Sequence, residues 1–220
     1  MKLSSLIIAV LLETLAPNGH AAEIIAGAEV APLVAWADHC LLLFCSQNDQ
    51  GGNSSGYGFH AGLWLPHDGI RKTGLELGYD KPGSISGSTV YNLTPGCLIL
   101  CQTATATWKH ETTITHIATV GLIPWDDRKK HGAIFGKIGL YRSSTNTGGD
   151  YGTGGGAYFR QVSGTGLLLG AGYILPVAGH FSARAAADIF FNVRVTDTIK
   201  PGDTMPETLA KLSLGVDYSF

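Results

Sequence analysis

The clearest regularity in the chain is period two. Over the last residues Leu212, Leu214, Val216, Tyr218 and Phe220 alternate with Lys211, Ser213, Gly215, Asp217 and Ser219, the pattern of a strand with one apolar and one polar face. Upstream, Phe181, Ala183, Ala185, Ala187, Ile189, Phe191, Val193 and Val195 alternate with a row holding His180, Arg184, Asp188, Phe190, Asn192 and Arg194. Leu75, Leu77 and Tyr79 oppose Gly74, Glu76, Gly78 and Asp80, and Thr165, Leu167, Leu169, Ala171 and Tyr173 oppose Gly164, Gly166, Gly170 and Gly172. The pattern predicts seven clear strands, at 57–65, 72–80, 111–123, 133–143, 163–175, 180–193 and 210–220. An eighth is sought at 34–45, where the consecutive Leu41, Leu42 and Leu43 blur the alternation. Short connections at 66–71, 124–131 and 176–179 alternate with long Gly-, Ser-, Thr- and Asn-rich ones at 46–56, 81–110, 144–162 and 194–209.

A soluble sandwich would also alternate, so the choice turns on what else the strands carry. Their polar rows hold glycine as often as charge, which suits a narrow lumen better than a solvated face. The clear segments run to about 9–14 residues, long enough to cross a bilayer at a tilt, against the usual 5–6 of globular strands. Aromatics close the apolar rows at Tyr79, Tyr173, Tyr218 and Phe220, where an interfacial girdle would stand. These features favour an all-β, eight-stranded, antiparallel up-and-down transmembrane β-barrel with short periplasmic turns and longer surface loops. Its facing follows from cost. Turning the 180–193 strand over would put Arg184 into hydrocarbon at about 2–4 kcal/mol, so the apolar row faces lipid.

The first residues change the picture by adding export. Lys2, the apolar run Leu6 to Leu12 and the small-residue exit Gly19-His20-Ala21 read as a signal peptide over 1–21, leaving 22–220 as the barrel domain. The run is too short to span as a helix. Glycine reaches 30 of 220 residues and charged residues only 15%, both far from the averages of soluble domains. With 15 Lys and Arg against 17 Asp and Glu there is no clustered basic footprint for nucleic acid. Cys40, Cys45, Cys97 and Cys101 contain no pair of C-x-x-C knuckles, so no zinc-finger fold is indicated.

Five segments resemble the transmembrane domain of the outer membrane protein A family, an eight-stranded barrel of Gram-negative bacteria. LSLGVDYSF, Leu212 to Phe220, resembles its last strand, with Leu214, Val216, Tyr218 and Phe220 standing where outer-membrane proteins carry their C-terminal assembly signal. GLELGYD, Gly74 to Asp80, resembles the third strand, and GHFSARAAADIF, Gly179 to Phe190, the seventh; ATVGLIP, Ala118 to Pro124, and IFGKIGL, Ile134 to Leu140, are weaker matches. The resemblance covers about 56–220 and rests on the order and spacing of all five. It implies that Glu76 pairs with Arg184 across the lumen. It also puts the family's competing Lys and Glu at Thr119 and Gly172, so both members of that second pair are missing here. The expectation is a barrel-only member without the peptidoglycan-binding domain of larger relatives.

Candidate chemistry is sparse. Glu76, Asp80, Asp188 and Asp217 with Lys137, Arg184 and Lys211 form an inward set of both signs, read as an ion-pair network filling the lumen rather than as acid and base of a hydrolase. His60 and His180 share those rows as lumen or turn residues. Gly52 to Gly56 fits the G-x-S-x-G of a nucleophile elbow, but a strand follows it rather than a helix. Gly152 to Ala157 fits G-x-G-x-x-A without the helix that phosphate binding requires. His110-Glu111 begins a metalloprotease-like phrase, yet Ile114 takes the place of the second His, and His116 would lie about 20 Å along a strand. No metal and no cofactor is implied. Arg128, Lys129 and Lys130 read as a solvated turn. For the cysteines two states stay open, free buried thiols or disulfides formed in an oxidising periplasm. Cys97 and Cys101 would be about 13 Å apart if extended, beyond disulfide reach, so a bond there needs a turn or helix, and Cys40 with Cys45 makes the same demand.

The main functional expectation is a non-enzymatic outer-membrane protein, exported through a cleaved signal peptide, monomeric, and inserted by the barrel-assembly machinery. It would act in envelope integrity and through loops that meet host or cell-surface ligands, with at most a narrow pore. The first alternative is an outer-membrane lipid hydrolase or acyltransferase on the same scaffold, for which Ser54 and His60 are the only nearby pair. A soluble periplasmic lipocalin-like carrier is the second.

Overall fold

Alternation on this scale closes into a ring. The computed structural model describes residues 22–37, 40–41, 44–45, 55–66, 72–92, 103–124, 132–150, 156–196 and 203–220. The leader 1–21, Ser54, the turns 67–71 and 125–131 with Arg128, Lys129 and Lys130, the pair Cys97 and Cys101, and Gly152 to Gly155 lie outside them. Eight strands form the wall: β1 Glu23–Ala37, β2 Gly56–Pro66, β3 Lys72–Lys81, β4 Thr103–Pro124, β5 Ala133–Asp150, β6 Ala157–Ala178, β7 Phe181–Thr196 and β8 Thr204–Ser219. Each pairs antiparallel with its sequence neighbours, and β1 pairs with β8 from Ile25↔Ser219 to Ala37↔Thr208, which closes the barrel. A further segment, Ser84–Asn92, continues β3 after Pro82 and Gly83 and pairs with 103–111 of β4. Proline has no N–H for the ladder, and Gly83 takes φ 92°, so the kink falls between the two ladders.

The first strand begins upstream of the expected 34–45 and overlaps it only at 34–37. Glu23–Ala37 alternates Ile25, Gly27, Glu29 and Ala31 inward against Ile24, Ala26, Ala28 and Val30 outward. A bulge between Val30 and Leu33 then shifts the phase at Pro32, so that Val34 faces in. Within the expected span, Cys40–Leu41 and Phe44–Cys45 form a two-stranded hairpin of their own in which Cys40 and Cys45 are direct partners. This supplies the turned backbone that a bond between them would need.

The outward rows carry the belt. Leu75, Leu77, Ile117, Ile138, Leu140, Leu167, Leu169, Leu212, Leu214 and Val216 are all exposed. Aromatics mark its two edges. Tyr57 packs edge-on to Phe59 beside Tyr79 at the long-loop end, and Tyr218 meets both Phe181 (5.0 Å) and Phe220 (4.9 Å) at the short-turn end. There Gly179 and His180 alone join β6 to β7, and Gly179 takes the left-handed φ of 55° that so tight a hairpin requires. The long connections are shorter than the sequence suggests. β4 and β6 run 22 residues each, about twice what a tilted crossing uses, so 103–111, 142–150 and 157–165 project beyond the belt with 84–92 as a sheet. On β4 the outward row turns polar at Lys109, Glu111, Thr113 and Thr115, which marks the exit from hydrocarbon.

The sidedness sets one measurable cost. Leu214, 57% exposed near the middle of β8, faces lipid at mid-depth. Leu214→Arg should cost about 2–4 kcal/mol in reversible urea unfolding in lipid vesicles, and Leu214→Ala clearly less. Equal losses would place Leu214 elsewhere.

Candidate functional site: a charge network between two apolar layers

The inward rows stack in tiers. At the short-turn end Ile25, Trp64, Val120, Phe135 and Ala186 form an apolar cluster. Towards the long loops Val34, Ile114, Leu168, Phe190, Val193 and Leu209 belong to a second. The lumen is therefore not filled by charge alone. Charges occupy the level between the two apolar layers, where no side chain is more than slightly accessible.

The lower tier centres on Arg184. Its Nη1 stands 2.8 Å from Glu76 Oε2, 3.0 Å from His60 Nε2 and 3.7 Å from Asp217 Oδ2, and the guanidinium lies over the Phe135 ring at 4.4 Å. His60 Nε2 is also 2.8 Å from Asp217 Oδ1. Lys137 Nζ donates to Glu76 Oε1 at 3.3 Å and reaches Asp188 Oδ1 at 3.0 Å. The upper tier centres on Lys211, which donates to Asp80 Oδ1 at 2.6 Å, contacts Asp188 Oδ2 at 3.3 Å and binds Glu29. Ser213 donates to Glu29 Oε2 at 3.0 Å. His116 joins the tiers, with Nδ1 3.2 Å from Asp80 Oδ2 and Nε2 3.7 Å from Glu76 Oε1.

The seven residues of the candidate set, Glu76, Asp80, Lys137, Arg184, Asp188, Lys211 and Asp217, thus meet in one cluster. Three more belong to it. The sequence leaves His60 between lumen and turn; it is in the lumen. Glu29 is hidden by the displaced first strand, although Glu29 between Ala28 and Val30 is the lone charge in an otherwise apolar stretch. His116 carries the signal of even spacing from His110, Ile114 and Ala118, all inward. Five carboxylates face three permanent cations, so with neutral imidazoles the cluster holds two surplus negative charges. Of the positions matched to the family's second pair, Gly172 is inward against Phe135, but Thr119 faces outward, and its neighbours Ala118 and Val120 line the lumen. His180 lies in the β6–β7 turn.

Space for these side chains is made by glycine across the ladder. Gly27 sits between His60 and Asp217, Gly58 between Glu29 and Asp80, Gly78 between His60 and His116, and Gly170 between Lys137 and Asp188. A Cβ at Gly27, Gly58 or Gly170 would collide with the side chains on both sides, and one at Gly78 with His116.

Above the outer apolar layer the inward row becomes hydroxyls. Thr112 Oγ1 and Thr145 Oγ1 are 3.0 Å apart, and His110 Nδ1 is 2.7 Å from Thr147 Oγ1 under a tilted Trp108 at 4.7 Å. Burial holds the His110 imidazole down at about 4, against the ordinary 6.5. His110 and His116 point the same way but serve different levels, and among the described residues no group of His, Cys, Asp or Glu could hold a metal. Neither does any described serine hydroxyl hydrogen-bond to His60, whose ring is taken by Asp217 and Arg184. Of the C-terminal positions, Leu214, Val216 and Phe220 face outward, and Tyr218 is part of the aromatic edge. Phe220 N–H donates to Ile24 C=O at 2.9 Å, tying the chain end to β1.

Removing one member of a buried pair leaves its partner uncompensated. Arg184→Met should therefore cost about 3–5 kcal/mol in vesicle unfolding, and adding Glu76→Gln should restore part of it; additive losses would mean the two are uncoupled. For His110 the sign runs the other way from a stabilised cation. Its folded value is below the unfolded one, so its contribution is present above pH 6.5 and is lost as pH falls towards about 4. Unfolding free energy should drop across that window by on the order of 3 kcal/mol, and His110→Gln should flatten the drop.

No protein-family profile and no curated protein sequence matches the chain. Among solved structures it is similar to a major outer membrane protein from Thermus thermophilus, at 17% identity and TM-score 0.52, covering 91% of this chain and 100% of that one. It is also similar to the outer membrane protein OprG from Pseudomonas aeruginosa, at 14% identity and TM-score 0.50, covering 90% of this chain and 95% of that one. At these identities the likeness is one of fold, and the fold is that of the bacterial outer-membrane β-barrels.

Proposed function

We propose that this chain is an exported outer-membrane protein with no catalytic role, acting structurally in the envelope and through the strands and loops it projects from the surface. The observation that carries the reading is the layered lumen. Phe190, Leu168, Ile114, Leu209, Val34 and Val193 close the barrel above the charges, and the charges below are held in ion pairs. A closed lumen surrounded by a lipid-facing belt supports a wall rather than a channel. The projecting sheet of 84–92, 103–111, 142–150 and 157–165 supports recognition, since it holds polar residues clear of the membrane. Removal of 1–21, insertion by the barrel-assembly machinery through Leu214, Val216, Tyr218 and Phe220, and function as a monomer belong to the same proposal, as does contact with host or cell-surface ligands.

Four measurements test it. The mature protein should fractionate with outer membranes and run with heat-shifted mobility on gels, and its mass should begin at Ala22. Reconstituted in planar bilayers it should give no steady current of porin size. Extraction by carbonate without detergent would sink the membrane reading, and a large steady conductance would sink the closed lumen.

A further inference from the structure

We propose that Cys40 and Cys45 are joined by a disulfide that staples the surface connection between β1 and β2. Cys40–Leu41 and Phe44–Cys45 pair as a two-stranded hairpin, with Leu41 opposite Phe44 and Cys40 opposite Cys45. The hairpin follows β1, which ends at Ala37, and precedes β2, which begins at Gly56, so it belongs to a connection at the long-loop end of the barrel.

The register makes these two cysteines a bonding pair. Two residues separate Leu41 from Phe44 in the sequence, and in a hairpin of that size the pair that closes the turn exchanges both N–H···O bonds. The next pair out is then of the non-hydrogen-bonded kind, with Cα atoms about 4.5 Å apart and Cβ atoms nearer than in a hydrogen-bonded pair. A disulfide needs about 4.4–6.8 Å between Cα atoms. The backbone pairing therefore meets that demand without rearrangement. The hairpin also lacks other support. Two rungs are too few to persist in water alone, and C-L-L-L-F-C holds no Asn, Asp, Gly or Pro to favour a turn. A covalent link removes most of the conformations otherwise open to such a segment.

The bond forms between the two Sγ atoms. Both thiol protons and two electrons pass to a disulfide-bearing oxidant of the periplasm, which is left as two thiols; that oxidant is met only by an exported chain, so this step rests on the reading proposed above. Of the three pairings that four cysteines allow, the two that join Cys40 or Cys45 to Cys97 or Cys101 are excluded.

The test takes the mature chain from outer membranes without reductant, alkylates its free thiols in denaturant and digests it with trypsin. Ala22 to Arg71 contains no earlier Lys or Arg, so Cys40 and Cys45 fall in one peptide, apart from Cys97 and Cys101. That peptide should be unalkylated and lighter by two hydrogens than after reduction. The same should hold for purified mature chain refolded in detergent with a glutathione redox couple, and also for the Cys97→Ser, Cys101→Ser double variant. Reduction should speed chymotryptic cleavage of the connection by about ten-fold or more while heat-shifted mobility is kept. The Cys40→Ser, Cys45→Ser double variant should be cut at the fast rate with or without reductant. A chain that never reaches the outer membrane sinks the export reading, and the refolded preparation then decides the bond by itself. Alkylated Cys40 and Cys45 in either preparation of heat-shiftable barrel would overturn the inference. So would a cross-link from that peptide to the one holding Cys97 and Cys101, or cleavage indifferent to reduction.

Discussion

Closing eight strands leaves a lumen about one side chain deep, and that constraint governs the rest of the molecule. A charge pointing into such a space cannot be solvated, so it must find an opposite charge within a few ångströms or cost several kcal/mol. It also cannot share its level with another large side chain on the next strand. The chain meets both demands with one device, a large polar residue set against glycine along the hydrogen-bonding direction. Lys137 and Asp188 flank Gly170, and His60 and Asp217 flank Gly27. Phe135 against Gly172 and Tyr141 against Gly166 apply the same device to aromatics. The glycine content thus reads as the complement of the lumen's contents rather than as flexibility.

The charges hold the wall together across strands that are remote in sequence. Arg184 on β7 contacts Glu76 on β3, and Lys211 on β8 contacts Asp80 on β3 and Glu29 on β1. The ladders bind each strand only to its neighbours, whereas the contacts of Arg184 with Glu76 and of Lys211 with Asp80 cross the lumen. With apolar layers on both sides, water is kept from the ion pairs, and each pair is correspondingly stronger and more costly to break.

Most of the wall was legible from the sequence because lipid on one side and a crowded lumen on the other enforce alternation without relief, as in 180–193 and 210–220. The failures share a cause, namely places where one of those two solvents is missing. In β1 the outward row uses Ala26 and Ala28, and Pro32 shifts the phase, so the contrast falls below that of the false candidate around Leu41. The projecting 84–92 and 144–150 lie outside hydrocarbon, where Ser, Thr and Gly serve strands as well as loops and period two has nothing to mark. The apolar layers were hidden for a different reason. Leu168, Phe190 and Leu209 occupy inward positions, and in a row otherwise made of Gly, Arg and Asp each passes for an isolated exception. Only the ring brings them to one level. The ion-pair members were readable as a set, since cost alone turns Arg184 and Asp188 inward, but their partners were not, because pairing depends on register between strands separated by up to 182 residues in sequence.

The same arrangement limits where this molecule can recognise anything. His60 and His116 are committed to carboxylates, the carboxylates to lysine and arginine, and both groups are covered at the long-loop end by Phe190 and Leu168. Each of these side chains is thus held from several directions in the space between the two apolar layers. What remains is the two mouths. At the outer one the inward rows of β4 and β5 are neutral, with Thr112, Thr145 and Thr147 hydrogen-bonded and His110 kept uncharged by burial, while β8 buries Glu207 at that end. At the inner one the charge cluster reaches the surface through Asp217 alone among its members in the cavity wall. The two ends therefore differ in shape, with long polar strands on one side and, on the other, a small cavity that has a buried carboxylate in its wall.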